Sequence, residues 1–155
     1  MYKLIELTDY EFMEQRTEKP FDYIISEDGG VQCNAFYFLQ YDNLRIAIVS
    51  LSVQPPQLLE FELGLIITVD NKIVFIFHSE RKIKEYSIGL SIYETVVKQD
   101  SIWVIGDVEV VRFNFFGELI VRKELPSMIE NYQITENEIK IRTDEGDNYV
   151  IKLKR

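Results

Sequence analysis

Residues 57–78, QLLEFELGLIITVDNKIVFIFH, decide the fold together with two later stretches of the same kind. These are SIWVIGDVEVVRFNFFGELIVRKEL at 101–125 and NEIKIRTDEGDNYVIKL at 137–153. Short runs rich in β-branched and aromatic residues alternate with Asp, Asn or Gly, a pattern that predicts strand, tight turn and strand. We therefore expect an all-β chain, an antiparallel meander that forms a curled sheet, a sandwich or an incomplete propeller-like arrangement.

Single positions in these stretches predict local structure. Leu63–Val69 is apolar on both faces except at Gly64 and Thr68, which favours a central strand. Asp70-Asn71 suits a two-residue hairpin turn, because both residues tolerate positive φ. Alternation slips at residues 111–113, as at a β-bulge. Gly117 can adopt the left-handed conformation of a longer hairpin loop.

The strand pairs recur with a regular spacing. They are centred near Ile73, Trp103 and Ile139, a period of about 30–36 residues that is close to that of a propeller blade. A closed propeller needs at least four blades, and residues 1–50 do not follow this spacing. Residues 126–130 are expected to form a single helical turn.

The N-terminal region predicts the one helix. Residues 2–7 read as a short strand, and Thr8-Asp9-Tyr10-Glu11 is a capping box. Tyr10, Phe12 and Met13 are expected to supply the apolar contacts of the helix, and Pro20 to end it. Strands are then predicted at 21–26 and 31–40, and Pro55-Pro56 marks a crossing or an edge.

Composition points to a single globular domain over residues 1–155. The chain has 26 acidic and 17 basic residues, and its acidic excess lies mainly in residues 1–80, where 13 acidic and 5 basic residues give −8. This charge disfavours nucleic acid and anionic membranes and favours a basic protein partner. Cys33 has no second cysteine to pair with, and the N-terminus lacks a secretory pattern, so a cytoplasmic protein is expected.

Catalytic and metal-binding patterns are weak. The chain has one His and one Cys, which are too few for a zinc site or a Cys-His pair with its orienting group. No phosphate-binding glycine motif is present, and residues 144–148 lack the ligand order of an EF-hand loop. Glu60 and Glu62 are an acidic pair that the sequence alone cannot assign. We expect no enzyme activity and no cofactor.

Residues 107–153 resemble the C-terminal half of small uncharacterised bacterial all-β proteins, some of which are suspected to be toxin-neutralising immunity proteins. The positions that carry the resemblance are structural: Arg112-Phe113-Asn114, Gly117, Leu125-Pro126 through Tyr132, and the hairpin Asp144–Tyr149. The resemblance implies a fold and a protein-binding role, and it implies no catalytic residues.

Three functions remain open. The leading one is a non-enzymatic binding protein, of immunity-protein type, that uses an acidic surface against a basic partner. Its predicted contact residues lie in or beside turns: Asp22, Glu27, Asp28 and Asp42. The alternative is a small-ligand-binding or enzymatic β-domain with a pocket lined by aromatic residues: Phe36, Tyr37, Phe75 and Trp103. The third is homo-oligomerisation through an edge strand.

Overall fold

The computed structural model of the protein describes residues 2–26, 35–51 and 54–153. The chain divides into two compact units, unit 1 at Met1–Pro55 and unit 2 at Pro56–Arg155. Their boundary falls within the Pro55-Pro56 pair, where two successive residues lack the N–H that a strand ladder requires. The expectation of a single domain stays a prediction, and the units are described separately.

Unit 1 is one mixed sheet with a helix. Its elements are β1 (Tyr2–Leu7), α1 (Asp9–Glu18), β2 (Tyr23–Ser26), β3 (Ala35–Tyr41) and β4 (Leu44–Ser50). The strand order in this sheet, sheet 1, is β1-β3-β4-β2. β2 runs parallel to β4, and the other pairs are antiparallel. The predicted turn at 27–30 and Cys33 lie outside the described residues.

The helix begins and ends where the sequence predicts. The Thr8 N–H donates to Glu11 Oε1 over 3.0 Å, and the Glu11 N–H donates to Thr8 Oγ1 over 3.2 Å. This capping box satisfies two of the N–H groups that the first turn leaves without helical partners. The helix ends at Glu18, and Lys19 is already extended ahead of Pro20.

Unit 2 consists of three antiparallel meanders. Sheet 2 holds β5 (Gln57–Phe61), β6 (Gly64–Val69), β7 (Lys72–Phe77) and β8 (Ile83–Ser87). Sheet 3 holds β9 (Ile92–Lys98), β10 (Ser101–Gly106), β11 (Glu109–Asn114) and β12 (Leu119–Glu124). Sheet 4 holds β13 (Ile129–Ile134), β14 (Glu138–Thr143) and β15 (Asn148–Lys152). The all-β prediction with one N-terminal helix is confirmed.

The predicted turn chemistry in unit 2 is also confirmed. Asp70 adopts φ 54° in the two-residue turn between β6 and β7, and Gly117 adopts φ 74°. The predicted bulge within β11 is wrong. The β11–β12 register does shift between Arg112 and Phe113, but the extra residue is Ile120 on β12. Residues 110, 111 and 113 of β11 are apolar because both faces of that strand are buried. The predicted helical turn at 126–130 is wrong. The Ile129 N–H donates to Asp107 O over 2.7 Å, which draws Ile129 into β13.

The core of unit 2 lies on both sides of sheet 3. Alternate residues of β10 and β11 point to opposite faces. One face packs on sheet 2 through Ile102, Val104, Val111 and Phe113. The other packs on sheet 4 through Trp103, Ile105 and Val110. β10 and β11 are therefore buried almost throughout, which accounts for the consecutive apolar residues Ile102–Ile105 and Val110-Val111.

Among the described residues, α1 is the only helix, and it is ten residues long. No helix in this part of the chain has the length and apolar character needed to cross a membrane.

Candidate functional site

The outer side of α1 exposes two large apolar side chains. Tyr10 is 72% exposed and Met13 is 56% exposed. Together with Glu14, Thr17 and Glu18 they line a shallow depression of about 340 Å³. We call these five residues the helix face. Exposed single apolar residues are ordinary, but tyrosine and methionine are both enriched at protein interfaces.

The inner side of α1 is fixed by an aromatic cluster. Phe12 is buried, and its ring centroid lies 4.7 Å from that of Phe36 and 5.7 Å from that of Phe21. Phe21 in turn packs edge-on against Phe38, with centroids 6.0 Å apart. The buried Phe12 therefore determines which residues of α1 face water.

Arg45 fastens the C-terminal end of the helix to the sheet. Its Nη2 lies 3.4 Å from the carbonyl oxygen of Gln15 and 3.3 Å from that of Lys19. Its guanidinium carbon lies 4.8 Å from the Phe38 ring centroid. A cation at this end satisfies helix carbonyls and opposes the helix dipole. The helix face is thus presented on a backbone that is anchored at both ends.

The helix that carries this face, α1, is acidic. α1 contains Asp9, Glu11, Glu14 and Glu18 against the single base Arg16. The Thr8 backbone N–H, and then the Thr8 hydroxyl, lower the pKa of Glu11 by hydrogen bonding its carboxylate. Glu14 and Glu18 are exposed, and no ion-pair partner for either lies among the described residues. These two carboxylates are available to a partner.

Of the four predicted contact residues, two can be located. Asp22 Oδ2 accepts the Arg45 N–H over 2.7 Å, and the Asp22 N–H donates to Arg45 O over 2.8 Å. Asp22 therefore joins the start of β2 to β4 and lies near the C-terminal end of α1. Asp42 is exposed in the β3–β4 turn with φ 52°. Glu27 and Asp28 lie outside the described residues, and a contact role for all four stays a prediction.

The sequence prediction missed the exposure of Tyr10 and Met13, because it assigned both side chains to apolar contacts within the fold. Tyr10 and Phe12 are two residues apart, roughly 200° around a helix axis, so they cannot share a face. Once Phe12 packs on Phe36, Tyr10 must point away from the sheet. This angular relation is the signal that could have found the site.

Unit 2 presents a second candidate surface. We call it the turn end; it consists of residues 70–71, 88–91, 107–108 and 144–147. At its tip Leu90 is 81% exposed. The Leu90 N–H donates to Asp107 Oδ1 over 3.1 Å, and Asp107 itself is buried. The carboxylate of Asp107 thus has a structural role, which is to hold the backbone that displays Leu90.

The turn end is acidic as well. Asp144, Glu145 and Asp147 are exposed in the β14–β15 turn. The Asp144 N–H donates to Met128 O over 2.8 Å, which joins this turn to the linker after β12. Burial raises the pKa of the Tyr93 hydroxyl, and the negative charges of Asp107 and Asp144 add to the rise. Carboxylates from two separate turns, those of Asp107 and Asp144, therefore lie close together in unit 2.

The predicted aromatic pocket does not form from the four residues proposed for it. Phe75 is fully buried in the core between sheets 2 and 3, whereas Trp103 belongs to the core between sheets 3 and 4. Phe36 and Tyr37 are adjacent in β3 and point to opposite faces of sheet 1. Core packing explains all four residues.

A separate depression of about 350 Å³ lies beside the β11–β12 loop. Phe77, Phe116, Lys82, Lys84 and Glu118 are among the residues that line it. The Lys84 ammonium is already engaged, because its Nζ donates to Phe116 O over 2.9 Å. Among the described residues, no group of three His, Cys, Asp or Glu side chains could hold a metal ion.

Comparison with known proteins adds no assignment: no protein-family model matches the sequence, and no curated protein matches it significantly.

Proposed function

We propose that the protein is a non-enzymatic binding protein that acts in the cytoplasm and masks a basic protein partner with the helix face. The observation that carries the proposal is the exposure of Tyr10 and Met13 on an acidic helix whose backbone is anchored by Phe12 and Arg45. An immunity protein that neutralises a toxin domain is the specific role we propose. The resemblance of residues 107–153 to suspected immunity proteins supports it.

The chemistry of the helix face suits this role. Tyrosine is enriched among residues that dominate binding energy, because it buries a large rigid ring and keeps a polar tip. Glu14 and Glu18 beside it would steer a cationic partner and occupy the site at which that partner binds an anion. Because α1 is already ordered, little conformational entropy is lost on binding.

The helix face is a better candidate than the turn end. The turn end offers one large exposed anchor, Leu90, and leucine is under-represented among residues that dominate binding energy. The helix face offers a tyrosine and a methionine in the same depression as two carboxylates without ion-pair partners in the described part of the chain. We therefore assign the partner contact to α1.

The test is direct binding by titration calorimetry of the purified products of the neighbouring reading frames, at low and at moderate salt. We expect one product to bind the wild type, and the double variant Tyr10→Ser, Met13→Ser to lose about 30-fold or more in affinity. Val150→Ser is the matched control, since Val150 is also a large exposed apolar residue but lies on β15. Affinity equal to wild type in the double variant would overturn the proposal, as would no binding at either salt.

A further inference from the structure

The edge strand β12 is unusual among the strands that the structure describes. All six of its residues are exposed, whereas every other strand at the edge of a sheet has at least one residue that is partly or fully buried. Leu119, Ile120 and Val121 are 43%, 49% and 42% exposed. A run of three exposed apolar residues on a sheet edge invites pairing with another strand.

Contacts within unit 2 already hold β12 in place. The Tyr86 hydroxyl donates to Gly117 O over 2.6 Å, which fixes the loop that precedes β12. Farther along, Arg122 Nε lies 3.1 Å from Glu109 Oε2, and its Nη2 lies 3.4 Å from Ser87 O. Both ends of β12 are thus fastened within unit 2, so pairing costs little ordering of the strand.

The charges that flank the apolar run are complementary and lie on one face of sheet 3. Glu118 Oε1 accepts from Asn114 Nδ2, and Lys123 lies opposite Val110. Asn114, Arg112 and Val110 alternate along β11 on the face that Trp103 occupies. Glu118 and Lys123 therefore project on that same face, one before and one after Leu119–Val121.

We propose that β12 pairs with β12 of a second copy of this chain, antiparallel about a two-fold axis between Ile120 and Val121. This register places Glu118 of each copy opposite Lys123 of the other, which gives two cross-strand ion pairs. The bulge in β12 of each copy then lies at the axis, where Ile120 and Val121 of the two copies meet. A two-fold contact is self-complementary and closes at a dimer.

A second copy explains Lys123 better than a foreign strand does. A lysine on an edge strand ordinarily discourages pairing, because its charge would be left without a partner. In the two-fold arrangement, Glu118 of the other copy supplies that partner. The proposal is independent of the helix face, since every residue it uses lies in unit 2.

The test is sedimentation equilibrium of the full chain over about a thousandfold range of concentration. We expect a reversible monomer–dimer equilibrium, and we expect Ile120→Lys to abolish it by placing a cation next to the axis in both copies. Val150→Lys makes the same change at an exposed apolar position on another strand and should leave the dimer intact.

Charge reversal tests the register. Lys123→Glu alone and Glu118→Lys alone should each weaken the dimer about tenfold. Each variant places like charges opposite each other in both of the cross-strand pairs. The double reversal should restore affinity to within about threefold. A monomer at every concentration, a dimer that survives Ile120→Lys, or a double reversal no tighter than the single ones would overturn the proposal.

Discussion

The helix face and the edge strand β12 both expose apolar side chains on a rigid backbone, but their flanking charges differ. The charged residues of the helix face are two carboxylates, Glu14 and Glu18, whereas Leu119–Val121 lies between Glu118 and Lys123. A surface with one sign of charge complements a partner of the opposite sign, and a surface with both signs in a symmetric order complements itself. We therefore expect different occupants for the two surfaces.

The largest expected effect comes from a variant that disrupts the helix face and leaves β12 intact. Phe12→Ala deletes the ring that packs on Phe21 and Phe36, so unfolding free energy measured in denaturant should fall by about 3–5 kcal/mol. Partner binding through the helix face should be lost, while self-association through β12 persists. Tyr10→Ser is the control and should change stability by less than about 0.5 kcal/mol. Loss of self-association in Phe12→Ala would show that the surfaces are not independent.

The next effect concerns the start of α1. Thr8→Ala removes the hydroxyl that accepts the Glu11 N–H and should lower stability by about 1 kcal/mol. Thr17→Ala is a matched control in the same helix. The Thr17 hydroxyl only bonds back to Met13 O, and alanine is the better helix former, so we expect no loss of stability there. Equal losses in the two variants, by denaturant unfolding, would contradict the role given to the cap.

Alkali should destabilise unit 2. Burial, followed by the hydrogen bond to Glu94, raises the pKa of Tyr132 to about 12. A pKa raised on folding stabilises the native state below the unfolded value near 10, and this contribution is lost as the pH rises through 12. A spectrophotometric tyrosinate titration should show a late-ionising tyrosine that Tyr132→Phe removes. An unchanged titration in that variant would contradict the assignment.

Acid should weaken α1, and this is the smallest of the expected effects. The pKa of Glu11 is lowered on folding, so its contribution is present above the unfolded value and is lost as the pH falls through the folded one. The circular-dichroism signal of α1 should weaken over that range. Glu11→Gln can still accept the Thr8 N–H but has no charge to lose at this position, so its helix signal should weaken less over that range than that of the wild type. The same acid response in both proteins would exclude Glu11 as the cause.

Much of the fold follows from short-range sequence signals. The Asp70-Asn71 turn, the left-handed Gly117 and the Thr8–Glu11 capping box each depend on backbone preferences within a few residues. The parallel pairing of β2 with β4 was not predictable in this way. It depends on Asp22 meeting Arg45 from 23 residues away in sequence. Residues 126–130 were mispredicted for the same reason, since a distant carbonyl, that of Asp107, fixes Ile129.

The surfaces were harder to predict than the fold. The apolar run Leu119–Val121 has the sequence of a buried strand, and only the strand order shows that β12 lies at an edge. Tyr10 could have been placed by its angle to Phe12, but only after Phe12 was known to face the sheet. Whether a side chain is exposed depends on which elements pack against it, and a local sequence pattern does not show this.

The most direct test of the contrast between the two surfaces is the salt dependence of two dissociation constants, one for the basic partner and one for self-association. Each copy carries a net charge of −9, so two copies repel each other, whereas a basic partner is attracted. Two exposed cross-strand ion pairs contribute little against this net repulsion. As salt rises, we therefore predict that binding of the partner weakens and that self-association strengthens. A change in the same direction for both constants would contradict the account.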